Sequence, residues 1–243
     1  KTSSAASDVY KRQPLHGSLP LDQQEKVLTH NKTDRRKIIF STNIAETSLT
    51  IEGVTGVVDS GLEKILLFDP NSAMTKLETQ RISKASAEQR KGRAGRLTHG
   101  HCIRLWSESD HQSLNNYQAE EILNADLSET VLSLANWGNS DFATIDWLTQ
   151  PPLAHFNAAK ELLIDLELLS EKGKITVTGK SASKLPLTPR LAKMLLVANN
   201  KQQKQMAYLL AAMLSERDIL IDADSADLAL RIHLLENSLR DLK

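Results

Sequence analysis

The sequence has little that would stabilise a chain from outside its own core. One cysteine, Cys102, stands among 243 residues, so no disulfide can close within the chain and a disulfide scaffold is excluded. Ten glycines and seven prolines exclude a collagen-like repeat. No apolar run approaches the roughly 20 residues that cross a bilayer; the nearest is Met206–Leu214. Net charge is absent as well, with 30 Lys+Arg against 30 Asp+Glu. Together with 40% hydrophobic residues, that neutrality argues against intrinsic disorder. The expectation is a folded protein without a membrane span, and a lone thiol suits a reducing, cytoplasmic setting.

The neutrality is an average over an uneven chain. Residues 1–110 hold 17 basic and 13 acidic residues, a net +4, and residues 111–243 hold 13 and 17, a net −4. Between Arg81 and Arg104 there are seven basic residues against one acid, Glu88, a local +6. A phosphate-bearing partner is therefore compatible with the composition.

Residues 1–13 carry neither a helical nor a strand period. Ser3–Gln13 resembles the in-frame translation of a transposon-type sequencing adapter. The expectation is a non-native scar outside the fold, with the gene truncated upstream of Pro14. From Lys37 the chain reads as α/β. Lys37–Thr42 is an apolar run ending in small polar residues, and Val54–Asp59 is a second, bounded by Gly53 and Gly61. Both predict buried strands of a parallel sheet. Ile65–Asp69 and Met74–Ile82 flank Pro70-Asn71-Ser72 and predict a hairpin. Ser86 with Gln89 three residues on predicts a capped helix through Arg96, and His101–Trp106 a returning strand. From Glu120 the periods become helical. A helix over Ile122–Ala135 ends near Gly138, and another starts after Pro151-Pro152. Lys174–Thr178 alternates as a short strand, and two helical segments follow, around Met206–Ser215 and Ala226–Leu242. Helix, helix and short ribbon in that order are consistent with a winged helix.

Gln89-Arg90-Lys91-Gly92-Arg93-Ala94-Gly95-Arg96 is the most informative stretch. On a helix, Gln89, Arg93 and Arg96 share one face, presenting an amide and two guanidinium groups suited to phosphate oxygens. Two glycines weaken a helix by roughly 1 kcal/mol each, so close approach of another surface is expected there. Ser41–Ile51 follows a predicted strand at its carboxyl end, where ligands bind in open α/β sheets. Its hydroxyl and amide side chains suit contact with a phosphodiester backbone. Two plainer alternatives stand beside these readings, a solvated basic face and a Ser/Thr-rich turn.

Ser41–Ile51, with its core Ile44-Ala45-Glu46-Thr47-Ser48-Leu49-Thr50, is similar to motif V of superfamily 2 helicases of the DEAH-box class. Gln89–Arg96 is similar to their motif VI. Glu120–Leu127, Trp137-Gly138 and Pro151-Pro152 most resemble the bacterial HrpB branch. The resemblance implies an α/β RecA-like domain, the second of its kind and partial, over 14–110. It further implies a winged helix over 111–188 and the start of an α-helical ratchet domain over 189–243. It implies that Arg93 and Arg96 are arginine fingers and that Gln89 contacts the γ-phosphate and water, with Gly92 and Asp59 beside the nucleotide. Asp59 could equally tie a strand end. Ser41, Thr42, Asn43 and Thr47 would face the RNA backbone, and the hairpin would lie at the point of strand separation. ATP with Mg2+ is the implied cofactor and single-stranded RNA or another nucleic acid the partner. No Gly-x-x-x-x-Gly-Lys-Ser/Thr loop and no Asp-Glu-x-His box is present. The family carries both on its first RecA-like domain, so this chain by itself is expected to show little ATPase activity.

His99-Gly100-His101-Cys102 falls short of a four-ligand metal site. Trp106, Trp137 and Trp147 are expected in the core, and Cys102 as a small buried apolar residue. Two other functions remain open at this point: a non-catalytic nucleic-acid-binding adaptor, and a DNA helicase of the same superfamily.

Overall fold

A computed structural model describes residues 10–29, 36–47, 51–96, 99–139, 141, 144–216, 218–220 and 225–241. These residues form two compact units, one of residues up to Leu67 with Leu77–Glu120, the other of Phe68–Lys76 with residues from Glu121 on.

In the first unit, β1 (Tyr10–Leu15) and β2 (Arg36–Ser41) pair in parallel, Leu15 opposite Ser41, with α1 (Leu21–Leu28) between them. Leu15 and Val27 are buried on this pair's covered face. Tyr10–Gln13, expected outside the fold, supplies the first four residues of β1, and Gln13 is itself buried. The correction has a simple cause: a strand's ladder is made by backbone groups, which any sequence other than proline provides in full. A second parallel pair joins β3 (Gly56–Asp59) to β6 (His101–Arg104), Asp59 opposite Arg104. The expected hairpin is present as β4 (Leu62–Asp69) and β5 (Met74–Arg81). α2 (Ile44–Thr47) is a single turn that starts three residues after β2.

Helix α3 (Lys84–Lys91) begins three residues earlier and ends five residues earlier than expected. Ser83, rather than Ser86, caps it; the Ser83 hydroxyl accepts from the Ser86 N–H at 3.1 Å. After Lys91 the chain tightens into i→i−3 turns, Arg93 N–H to Arg90 and Ala94 N–H to Lys91. Gly95 then turns it with φ +83° and donates to the Val54 carbonyl at 3.2 Å. The close approach expected of the glycines lies here. A Cβ on Gly100 would stand 2.4 Å from the Gly95 nitrogen, whereas one on Gly92 would meet only the carbonyls of its own helix.

The first compact unit runs on to Glu120. Helix α4 (Glu108–Ser113) lies within it, opened by a reciprocal Ser107–Asp110 capping box. Arg81 at the end of β5 pairs with Asp110 at 3.2 Å.

The second unit packs α5 (Ser128–Asn136), α6 (Leu153–Asp165), α7 (Val177–Ala182) and α8 (Pro189–Val197) around Leu132, Phe156, Leu163, Leu168 and Ala192. The helix expected over Ile122–Ala135 divides into a 3-10 turn (Glu121–Leu123) and α5. The break falls where the Asp126 carboxylate accepts from the Ser128 N–H at 2.8 Å. The strand expected over Lys174–Thr178 is reduced to one antiparallel bridge, Leu169 with Ile175. Thr176 instead caps α7 by accepting from the Gly179 N–H at 2.9 Å. Three helices follow where two were expected: α8, then α9 (Lys201–Ser215), opened by an Asn200–Gln203 capping box, and α10 (Leu228–Asp241). Trp137 is not in the core but 80% exposed, because α5 ends at Asn136 and directs its buried stripe through Val131, Leu132 and Ala135. Cys102 is half-buried in β6, and burial raises its thiol pKa. No described helix is long and apolar enough to cross a membrane.

Gly179 gives a test of the second core. Within a helix, Gly→Ala normally stabilises by about 1 kcal/mol. Here a Cβ would lie 2.1 Å from the Leu168 carbonyl oxygen. Gly179→Ala is therefore expected to destabilise by about 1–3 kcal/mol, as overpacking does, read as a lower urea midpoint. A raised midpoint would show that α7 does not press on Leu168.

Candidate functional site

The carboxyl ends of two strands from separate parallel pairs line one cavity. β2 ends at Ser41 and β3 at Asp59, and a cavity of about 1220 Å³ opens there within the first unit. Ser41, Thr42 and Asn43 line it from the β2 end, Glu46 from α2, Asp59 from β3, and Arg90, Arg93 and Arg96 from α3 and the turns after it.

Arg90 organises this wall. Its Nε donates to Glu46 Oε2 at 2.9 Å, and its Nη1 donates to Asp59 Oδ1 at 3.0 Å and to the Leu62 carbonyl at 3.1 Å. Asp59 Oδ1 also accepts the Gly61 N–H at 3.0 Å. Burial disfavours the charge on Arg90, but its bonds to Glu46 and Asp59 outweigh that and hold the guanidinium pKa above its ordinary value. The Asp59 side chain is 2% exposed, and its Oδ2 has no hydrogen-bond partner among the described residues. The Glu46 main chain serves the next arginine, since Arg93 Nη2 donates to the Glu46 carbonyl. For Arg93, burial and then the neighbouring Arg96 charge lower the pKa. Two guanidinium groups brought together in a cavity raise the local positive potential, a setting that favours a phosphate.

Six of the expected site residues thus meet at one cavity: Ser41, Thr42, Asn43, Asp59, Arg93 and Arg96. Ser41 has its hydroxyl committed to the backbone, donating to the Thr42 carbonyl at 2.8 Å and the Leu15 carbonyl at 3.3 Å. Gln89 and Gly92 are exposed and do not line this cavity; Gly92 lines a smaller one of about 460 Å³ with Lys91, Cys102 and Arg104. The cause is the early end of α3, which takes Arg93 and Arg96 off the helical face they were expected to share with Gln89. Thr47 closes α2, and its side chain lies outside the described residues.

Arg90 and Glu46 are the residues the sequence reading passed over. Both stand inside the quoted motifs, and a signal was available: an acid beside a buried strand end needs a cation, and Arg90 is the basic residue next to Gln89.

Residues 3–98 match the Helicase conserved C-terminal domain. The match begins inside the stretch expected to be a scar. The chain is 42% identical to the ATP-dependent RNA helicase HrpB of Escherichia coli K12, over 84% of this chain and 25% of that protein. It is 40% identical to the ATP-dependent RNA helicase HrpA of Borreliella burgdorferi, over 76% and 22%. A crystal structure of the Escherichia coli DEAH/RHA helicase HrpB superposes with a TM-score of 0.85 at 39% identity, over 92% of this chain and 28% of that one. The chain thus spans about a quarter of the length of the curated relatives it matches. These matches make the chain similar, along most of its sequence, to DEAH-box RNA helicases of the HrpB type, and residues 3–98 to their Helicase conserved C-terminal domain.

Proposed function

We propose that the chain is part of an ATP-dependent RNA helicase that hydrolyses ATP to move along single-stranded RNA and unwind it. The observation that carries this reading is the shared cavity, where Arg93 and Arg96 stand with Ser41, Thr42 and Asn43. Cations suited to a transferring phosphoryl group and small polar groups suited to a nucleic-acid backbone then occupy one rigid wall. Arg93 and Arg96 would stabilise charge on the γ-phosphoryl oxygens, and Asp59 would act behind them by holding Arg90. Gln89 and Gly92 would join them only on a rearrangement of the turns after α3.

The donor set does not suit Mg2+ at this wall, because Glu46 and Asp59 are already paired with Arg90. The metal's ligands are proposed to lie on a partner RecA-like domain of the same protein, which closes on ATP from the other side. Within the chain we read residues 14–110 as the second RecA-like domain, 111–188 as a winged helix and 189–243 as the start of a ratchet domain. The hairpin β4–β5 is read as a contact for separating strands, and the setting as cytoplasmic.

Unwinding of matched RNA and DNA duplexes by the full-length protein, with and without ATP, tests the reading. ATP-dependent unwinding of RNA is expected. Unwinding of DNA alone would make it a DNA helicase, and nucleic-acid binding indifferent to ATP would make it an adaptor.

A further inference from the structure

Both ends of α3 are fastened to the root of the hairpin, one through Arg90 in the cavity wall and the other through a segment, Asn115–Gln118, that does not line the cavity and meets it only at Glu63. The first N–H groups of a helix have no partner within it. In α3 they are taken by the segment after α4: Lys84 N–H donates to the Asn115 carbonyl at 2.8 Å and Ala85 N–H to the Asn116 carbonyl at 3.0 Å. Lys84 Nζ also reaches Asn116 Oδ1 at 3.4 Å. Two residues on, Gln118 Nε2 donates to Glu63 Oε2 at 3.4 Å, and Gln80 Nε2 donates to Glu63 Oε1 at 3.1 Å. Glu63 is 7% exposed and no salt bridge reaches it among the described residues, so a buried carboxylate at the start of β4 rests on two amides from β5 and from this segment. A buried carboxyl group needs partners for its oxygens, and here both are supplied by side-chain amides. At the other end of α3, Arg90 holds the adjacent Leu62 carbonyl at 3.1 Å.

We propose that Lys84, Glu63 and Gln118 are positioning residues: through the strap Asn115–Gln118 they hold the hairpin root to the arginine-bearing helix, so that displacement of α3 at the nucleotide is carried to the hairpin. This rests on the helicase reading above.

Two variants cut the strap while leaving the cavity wall intact. Lys84→Pro removes the N–H bonded to Asn115 at the one helix position where proline is welcome, after Ser83 in extended backbone. Gln118→Glu sets two carboxylates face to face. In the full-length protein each is expected to leave RNA-stimulated ATP hydrolysis close to wild type while duplex unwound per ATP falls by about fivefold or more, the scale of a coupling free energy between sites. In the 243-residue chain, hydrogen exchange at the Ala85 amide should accelerate by a comparable factor. The swap Glu63→Gln with Gln118→Glu restores donor and acceptor in reverse, with the residue 63 amide oxygen still accepting from Gln80, and should recover both readouts. Unchanged exchange at Ala85 in Gln118→Glu overturns the proposal. So does a proportional fall of hydrolysis and unwinding, or a swap that fails to rescue. A wild-type protein without RNA-stimulated hydrolysis would sink the helicase reading instead, with exchange at Ala85 still deciding whether the strap is held.

Discussion

On the proposed helicase function, Arg93→Ala made in the full-length protein is expected to lower the rate of RNA-stimulated ATP hydrolysis by about a thousandfold or more. Guanidinium groups that complete a phosphoryl-transfer site contribute about 10³–10⁵ in rate, which is about 4–7 kcal/mol of transition-state stabilisation. The size of the loss follows from where the charge sits. Arg93 is fixed by its bond to the Glu46 carbonyl, so its side chain is positioned before any nucleotide arrives, and no reorganisation is needed as charge develops on the γ-phosphoryl group. Burial and then the neighbouring Arg96 charge lower the Arg93 pKa, so a phosphate bound beside both would offset a cost carried by the free protein. Arg96→Ala is expected to act in the same direction. Lysine at either position keeps the charge but loses the planar fork, and should recover only part of the rate. The effect belongs in kcat, with KM for ATP changed far less, because the contribution is made mainly in the transition state. Equal kcat values for wild type and Arg93→Ala would remove this residue from the chemistry and leave the cavity as a binding surface only.

How far the site was legible depended on how local each signal was. β2 follows from a continuous apolar run, the hairpin from Pro70-Asn71-Ser72 between two strand-like segments, and α6 from Pro151-Pro152 ahead of an apolar stripe. Each of these is settled within a few residues. The bounds of α3 were not, since Ser83 and Ser86 are equally good caps by type, and the choice depends on which hydroxyl faces an open helix end. α7 was missed because an alternating pattern over five residues is outweighed by one Thr176 cap and by the press of Gly179 on Leu168. Arg93 and Arg96, which line the cavity, stand out in the motif spacing. The arginine that supports them does not, because its partners Glu46 and Asp59 lie 44 and 31 residues away in the chain and meet it only through the packing of α2, α3 and β3.

That supporting arginine carries the second large effect. Replacing Arg90 by methionine, which keeps much of its length, is expected to cost about 3–5 kcal/mol of stability, the loss found when one partner of a buried charge pair is removed. The cause is less the lost attraction than what is left behind. The Asp59 carboxylate is 2% exposed and already has one oxygen without a hydrogen bond, and the Glu46 side chain is 10% exposed. Without Arg90 both charges stay in a poorly solvated wall, and the Leu62 carbonyl at the hairpin root loses its donor. Urea unfolding of the 243-residue chain measures the loss. Neutralising the acids separates the two causes. If stranded charge dominates, adding Asp59→Asn and Glu46→Gln to Arg90→Met should return more than half of the lost stability, because amides can be buried at far lower cost than carboxylates. Asp59→Asn alone should also destabilise, since Arg90 then keeps only Glu46 as a counter-charge. A loss below about 1 kcal/mol in Arg90→Met would place the pair among exposed ion pairs of little consequence, and the wall that positions Arg93 would then have to be held by the Glu46 backbone alone.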